Sequence, residues 1–203
     1  MKIVVFGSTG GTGKAFVEQA LESGHDVTAF LRNPHKLGIN HERLNRVQGD
    51  ARNEEDVCQA VLGQEAIVSC LGSESLKDRS TLTIMTENIL TASAQHNIKR
   101  LLYVASAGLY NEIPGLTGWM SRMILKNVLH DHRRAVNAII AADMDYTIAR
   151  PMRLLDGPVT GNYRTSETVP QDGRSISRGD VAHFLLHALE EDTYVKETTG
   201  LAD

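Results

Sequence analysis

Apolar runs and helical patterns alternate along most of this 203-residue chain. Short runs rich in β-branched and aliphatic residues predict six strands, at residues 1–6, 26–31, 46–50, 66–71, 100–105 and 146–149. Apolar residues at helical spacing predict helices at residues 14–21, 53–61, 80–95, 118–142 and 181–189. This alternation is typical of a mainly parallel sheet with helices on both faces, so we predict a single α/β domain.

The alternation ends after the sixth predicted strand, which the Arg-Pro pair at 150–151 is expected to stop. Residues 162–168 alternate like an exposed strand between turns rich in glycine and proline. Ser177 is followed three residues later by Asp180, which resembles a capping box at the start of the last helix. We expect residues from about 151 to 203 to form short elements on the substrate side of one domain that spans the chain.

A glycine-rich segment, Gly7-Ser8-Thr9-Gly10-Gly11-Thr12-Gly13, joins the first strand to the first helix. A helix N-terminus has free N–H groups and a positive dipole end, and both favour a phosphate. Gly7 permits the turn, Gly10 leaves room for a diphosphate beside Gly11, and Gly13 lets the helix approach the strand. An ordinary glycine-rich turn is the alternative, but the following helix and second strand favour a Rossmann-type dinucleotide site.

In doubly wound sheets, ligands bind beyond the carboxyl ends of the strands, where the strand order reverses. The residues at those ends are therefore candidates for cofactor contacts. They are Arg32, Asp50 with Ala51, Cys70, Leu71, Gly72, Ser73, Ser106, and Pro151 to Arg153.

The end of the second strand indicates which dinucleotide is bound. NAD-binding proteins usually have an acid there, whereas this chain has Arg32, followed by Lys36. A guanidinium offers several donors to a phosphate, so we expect Arg32, helped by Lys36, to hold the 2′-phosphate of NADP(H) rather than NAD(H). The alternative is that both are solvated surface charges. Asp50 is expected near the adenine, and capping of the next helix is an alternative role that is compatible with it. Asn53 is the predicted N-cap of that helix.

Composition excludes several other classes of partner. The chain has 21 Lys and Arg against 25 Asp and Glu, a net charge of −4, so no basic excess attracts nucleic acid. No apolar run approaches a membrane span, and the strand-like start does not resemble a secretion signal. Cys58 and Cys70 suit a reducing compartment, so we expect a cytoplasmic protein, either a monomer or a weak homodimer.

Several of these motifs resemble those of a known superfamily. The glycine-rich loop, the Leu-Arg-Asn-Pro sequence at 31–34 and Ser106 resemble the short-chain dehydrogenases/reductases. The stretches 146–151, 160–163 and 176–182 narrow the resemblance to the atypical, NmrA-like branch. Within that branch, nearly the whole chain is similar to flavin reductase, also known as biliverdin-IXβ reductase.

The resemblance implies hydride transfer from NADPH to a flavin or an open-chain tetrapyrrole, a flat acceptor that lies over the nicotinamide. Ser106 would then orient the nicotinamide or the acceptor, and Arg32, with Lys36, would contact the 2′-phosphate. The phosphate-binding residues of the family carry over to Gly7, Thr9, Gly10, Thr12 and Gly13.

Two departures from the family bear on the chemistry. Trp119 and Met123 stand where carbonyl-reducing members have the catalytic Tyr and Lys, so alcohol dehydrogenation by that route is not expected. Arg153 stands where the flavin reductases have a histidine; it is a poor proton donor but could pair with a carboxylate or phosphate. Flavin reduction, with FMN, riboflavin or FAD, depends less on a proton donor than tetrapyrrole reduction does.

Two other functions compete with the reductase. A non-enzymatic NmrA-like sensor would bind NADP(H) and signal redox state to a partner, and the missing Tyr and Lys support it. An extended-branch epimerase or isomerase ranks last because it needs that tyrosine.

A few residues allow more than one role. Tyr110, Trp119 and Met120 either wall an acceptor pocket or anchor their own loop. For His183 with His187, and for His130 with His132, we favour packing or surface roles over metal binding or acid–base roles. For Cys70 we favour a small core residue over a reactive thiol.

Overall fold

The computed structural model describes residues 1–73, 75–110, 112 and 115–203, and for 115–122 it describes the backbone alone. The strands of the described part are β1 (Lys2–Phe6), β2 (Asp26–Leu31), β3 (Leu44–Gln48), β4 (Ala66–Ser69), β5 (Arg100–Val104), β6 (Asp145–Pro151), β7 (Arg153–Leu155), β8 (Arg164–Ser166), β9 (Ser175–Ser177) and β10 (Glu197–Ala202). The α-helices are α1 (Gly11–Glu22), α2 (Glu54–Val61), α3 (Thr81–Gln95), α4 (Gly115–Ala141) and α5 (Arg178–Glu190). A short 3₁₀ turn, Pro34–Lys36, follows β2.

The central sheet has the order β3-β2-β1-β4-β5-β6-β10-β8. Neighbouring strands are parallel except for β8, which pairs with β10 in the antiparallel sense. The chain leaves β1 in one direction toward β2 and β3, then returns to the other side of β1 through β4. This reversal confirms the predicted doubly wound Rossmann fold and puts the switch point between β1 and β4.

Helices cover both faces of the sheet because the inner strands are apolar on both sides. Ile3 and Val5 of β1 pack in one cluster with α1 and α5. Val4 and Phe6, which point the other way, pack in a second cluster with α2, α3 and α4. All four side chains are completely buried, as expected for a central parallel strand.

The C-terminal part of the sheet differs from the prediction. β6 does not stop before Arg150 and Pro151 but includes both, because Gly200 and Leu201 of β10 pair with them. Arg150 is only 1% exposed, and its guanidinium pairs with the Glu112 carboxylate and donates to the Glu167 carbonyl. A charged residue such as Arg150 gives no apolar signal, so the sequence predicted that β6 ends before it. The mostly polar β10 gives no apolar signal either, so it was not predicted.

Asp131 and His132 of α4 have structural roles. The Asp131 carboxylate accepts hydrogen bonds from the backbone N–H groups of Leu82 (2.9 Å) and Thr83 (3.0 Å), and so caps the start of α3. His132 is buried, and its Nδ1 lies 3.3 Å from the hydroxyl oxygen of Tyr103 on β5. These contacts join α4 to the sheet and to its neighbouring helix, which agrees with the packing role expected for His132.

His132 is expected to make the fold less stable in mild acid. Burial lowers the pKa of His132 from 6.5 to about 4, so the unfolded chain takes up this proton first. The contribution of neutral His132 to the free energy of unfolding is complete above pH 6.5 and is lost as the pH falls toward 4. Between pH 7 and pH 5 the loss is about 2 kcal/mol. Urea unfolding at these two pH values measures the change.

A His132→Asn variant is the matched control, because its amide oxygen can still accept from Tyr103 but does not titrate. Between pH 7 and pH 5, the free energy of unfolding of this variant should fall by about 2 kcal/mol less than that of the unsubstituted chain. The same pH dependence in both proteins would contradict the prediction, whatever the absolute stability of the variant.

Candidate cofactor-binding site

The loops that follow β1 and β4 face each other at the switch point of the sheet. Gly7 has a φ of +76°, and a Cβ there would lie 2.5 Å from the carbonyl oxygen of Cys70. The Gly7 carbonyl in turn accepts a hydrogen bond from the N–H of Gly10 at 3.0 Å. Only glycine fits at position 7, because both the backbone conformation and the approach of the second loop exclude a side chain.

Helix α1 begins directly at this turn. Gly10 is its N-cap residue, no side chain caps the helix, and its first turn contains no acidic residue. A Cβ on Gly13 would lie 2.2 Å from the Gly7 carbonyl oxygen, so the absence of this atom lets the helix start close to β1. The arrangement directs a helix N-terminus into the groove, where its free N–H groups can bind an anion.

A groove opens between these loops and the ends of β2 and β3. The predicted cofactor residues that line it are Gly7, Thr9, Gly10, Arg32, Asp50, Ala51, Cys70, Leu71 and Gly72. The other predicted residues do not line it: Gly11, Thr12, Gly13, Lys36, Ser73, Ser106 and Pro151. The residues that sequence reasoning missed are Phe30, Leu31, Gly49, Arg52, Thr81 and Met85.

Two arginines and one aspartate form the end of the groove near β2 and β3. Arg32 is exposed after β2, and its carbonyl accepts from the side-chain amide of Gln48 at 3.2 Å. Asp50 follows β3 and binds Arg52 through a fork of hydrogen bonds, the shortest 2.6 Å. The hydrogen bonds from Arg52 lower the pKa of Asp50, and the charge of Arg32 lowers it further. Basic charge therefore exceeds acidic charge here.

The alternative role of Asp50 as a helix cap needs correction. Asp50 does not cap the next helix; Asn53 caps α2 by accepting from the Glu55 and Asp56 N–H groups at 2.9 and 3.2 Å. Lys36 lies in the exposed 3₁₀ turn and is not among the residues that line the groove, and its role beside the 2′-phosphate stays a prediction.

The inner wall of the groove is apolar. A Cβ on Gly49 would lie 2.6 Å from the Phe30 ring, so the ring and the backbone after β3 are in close contact. Met85 contributes a mostly buried thioether from α3. Burial raises the pKa of the Cys70 thiol to about 12, which favours the protonated form at neutral pH.

Ser106 and Pro151 lie side by side beyond the groove, at the ends of β5 and β6. The Ser106 hydroxyl is partly exposed and donates to the Ala107 carbonyl at 3.1 Å. The Ala107 N–H donates to the Pro151 carbonyl at 2.9 Å, which fixes the two loops together. Arg153 is exposed on β7, which pairs with β9 in a separate two-stranded sheet.

Two guanidinium groups lie close to the ring of Tyr110. Arg133 and Arg150 each lie 5.0 Å from its centroid, and the Arg133 guanidinium also donates to the Leu109 carbonyl at 3.0 Å. These contacts indicate that Tyr110 anchors its loop, one of its two expected roles. The side chains of Trp119 and Met120 lie outside the described part of the structure.

The two histidines on α5 contact each other and a tyrosine. His183 Nδ1 lies 3.0 Å from the Tyr163 hydroxyl, and its ring stacks on His187 with centroids 6.3 Å apart. Among the residues that the structure describes, no group of three or more His, Cys, Asp or Glu side chains could hold a metal ion. In the same residues, no helix combines the length and the apolar character needed to cross a membrane.

Comparisons with known proteins agree with this geometry. A family model described as NAD(P)H-binding matches residues 7–192. Photosystem II assembly factor Ycf39 from Synechocystis is 24% identical over 213 residues, 98% of this chain and 61% of the relative. Alignments with six curated relatives cover 32% to 72% of their lengths, and five of the six are covered by less than two thirds.

Solved structures share the fold over the whole chain. ChuY from Escherichia coli, described as an anaerobillin reductase, has a TM-score of 0.83 and 21% identity, with 100% of this chain and 97% of ChuY covered. A short-chain dehydrogenase/reductase from Veillonella parvula in complex with NADP has a TM-score of 0.81 and 22% identity, with coverages of 100% and 94%. The chain belongs to the NAD(P)H-binding family.

Proposed function

We propose that the protein is an NADPH-dependent reductase that transfers hydride to a flavin, such as FMN, riboflavin or FAD, or to a similar flat acceptor. The observation that carries the proposal is the groove at the switch point, whose lining includes Gly10 at the N-terminus of α1 and Arg32 after β2. A dinucleotide has phosphates at matching places: the diphosphate in its middle and, in NADP(H), the 2′-phosphate on its adenosine ribose.

The names of the relatives support both parts of the proposal. The Veillonella protein was solved with NADP, and ChuY is described as a reductase. Because these two proteins share the fold of this chain, they support the same cofactor and the same reaction class. The acceptor depends on the residues of the site itself.

The residues of the site are better suited to positioning the cofactor and the acceptor than to transferring a proton. Bound NADPH would supply the hydride. Gly10 would leave space for the diphosphate, Gly7 and Gly13 allow the turn and the close start of α1, and Ser106 would orient the nicotinamide or the acceptor. Arg153 would pair with an acceptor carboxylate or phosphate, as in a propionate or in FMN. Since the sequence has no Tyr and Lys at 119 and 123, the reduced acceptor would take its proton from water.

The test is to mix the pure protein with NADPH and each flavin and to follow the absorbance of the reduced nicotinamide. Turnover well above the rate without protein supports the reductase. Tight NADPH binding with no turnover on any flavin or quinone would overturn it and support the NADP(H) sensor, which the missing Tyr and Lys favour. Absence of binding to either nicotinamide coenzyme would overturn both.

Replacing Ser106 with alanine is expected to lower the turnover number roughly tenfold, the effect of losing one orienting hydrogen bond of about 1.4 kcal/mol. The Kd for NADPH should stay within about twofold, because Ser106 lies outside the groove proposed to hold the adenosine and diphosphate. Stopped-flow turnover and calorimetric titration measure the two quantities.

Ser23→Ala is the control for this change. Ser23 is an exposed residue at the C-terminal end of α1, on the opposite edge of the sheet, and its loss should alter neither quantity. An unchanged turnover number in Ser106→Ala would remove Ser106 from the mechanism.

A further inference from the structure

Arg178, the first residue of α5, lies across Gly11, the first residue of α1. A Cβ on Gly11 would lie 2.4 Å from Cδ and 2.8 Å from Nε of Arg178. The missing side chain at position 11 therefore makes room for the arginine stem. As a result, a guanidinium from the far end of the chain lies beside the helix N-terminus that opens into the cofactor groove.

The position of Arg178 is fixed by packing between α1 and α5. The side-chain amide of Gln19 on α1 donates to the Gly179 carbonyl at 3.0 Å. Ser177 caps α5 by accepting from the N–H of Asp180 at 2.9 Å. These bonds hold the start of α5 against α1, so the approach of Arg178 to Gly11 follows from the fold.

Arg178 also contacts the loop that precedes β8. Its guanidinium lies 2.6 Å from the carboxylate of Asp156, whose side chain is 94% exposed. The same loop is bound to α5 through Asp180, which accepts from the N–H groups of Thr160 (2.7 Å) and Gly161 (2.9 Å). A pair with so exposed a carboxylate contributes little to stability, so the guanidinium can change its partner at small cost.

The glycine-rich loop itself brings no charge to a diphosphate. Residues 7–13 contain no ionisable side chain. Lys14, which follows, is about half exposed and lies 3.9 Å from the Glu18 carboxylate one turn further along α1. The backbone N–H groups and the helix dipole would face two negative charges, and Arg178 is a cation that the fold brings to the same helix end.

We propose that Arg178 is a diphosphate-binding residue and that Asp156 competes with the diphosphate for its guanidinium. The inference rests on the proposed nicotinamide cofactor and adds a residue to that site. When the dinucleotide binds, the guanidinium leaves Asp156 and donates to the diphosphate oxygens. Arg178 thus acts on the part common to NADP and NAD, whereas Arg32 acts on the 2′-phosphate.

Arg178→Gln tests the proposal by calorimetric titration with NADP⁺ and NAD⁺. We expect both Kd values to rise by the same factor, roughly tenfold, because one charge-assisted hydrogen-bonded contact is lost from a shared group. Adenosine 2′-monophosphate, which has no diphosphate, should bind the variant and the unsubstituted chain equally, as measured by competition or by NMR titration.

Two further variants make the result specific. Arg134→Gln removes the same charge from the solvent face of α4, on the other side of the sheet, and should leave all three affinities unchanged. Asp156→Asn removes the competing carboxylate from an exposed position, and should lower both dinucleotide Kd values by roughly two- to threefold.

The outcomes separate this inference from the proposed function. If the unsubstituted chain binds neither dinucleotide, the proposed function fails. If it binds them and Arg178→Gln binds them equally well, or if the variant loses affinity for NADP⁺ alone, the role of Arg178 in diphosphate binding is overturned while the cofactor site stands. A parallel loss for adenosine 2′-monophosphate would overturn it as well, since it would reflect general damage to the groove.

Discussion

Replacing Gly13 with alanine is expected to destabilise the fold by about 3 kcal/mol and to weaken NADPH binding at least roughly 100-fold. The new Cβ would lie 2.2 Å from the oxygen and 2.8 Å from the carbon of the Gly7 carbonyl, and 3.1 Å from Cα of Ser8. All three atoms belong to the backbone, so no side chain can move aside. The start of α1 must shift away from β1, and with it the N–H groups that would bind the diphosphate.

Gly38→Ala is the control, because a Cβ at that position meets no atom within 4 Å and the backbone there does not have the positive φ that requires glycine. It should change neither the urea midpoint nor the Kd for NADPH. If Gly13→Ala unfolds at the same urea concentration as Gly38→Ala and binds NADPH equally well, the close approach of helix and strand is not needed for the site.

The parts of the site that the sequence predicted well are those determined by local geometry. Gly7 and Gly13 lie at the junction of a strand and a helix, and each is needed where a turn or a close approach excludes a side chain. Arg32 directly follows β2 and Asp50 lies two residues after β3, and the ends of such parallel strands meet at one edge of a sheet. The parallel sheet therefore explains why both residues line one groove.

The parts that were missed depend on contacts between distant segments. Arg52 lies four residues beyond the end of β3 and reaches the groove, where it pairs with Asp50. Arg178 meets Gly11 only because α1 packs on α5, and no pattern within either helix indicates this contact. β10 has few apolar residues and is a strand because it pairs with β6 and β8. The sequence alone does not specify which strands pair.

Replacing Arg32 with aspartate is expected to weaken NADPH binding roughly 100-fold and to change NADH binding less than about threefold. Arg32 is exposed and lines the groove, and the 2′-phosphate that distinguishes the two cofactors carries close to two negative charges. The substitution removes the attraction and adds repulsion, whereas the ribose hydroxyl of NADH can bind an aspartate. Calorimetric titration with both cofactors measures the ratio.

Two comparisons show which group makes the discrimination. Arg32→Gln removes the attraction without adding repulsion and should cost roughly tenfold for NADPH alone. Lys36→Ala should change either affinity less than about threefold, because Lys36 lies outside the groove lining. Arg52 cannot replace Arg32, since its guanidinium is bound to Asp50 through two nitrogens and its charge is already matched. Equal losses of NADPH and NADH in Arg32→Asp would therefore mean that the chain does not select its cofactor at the end of β2.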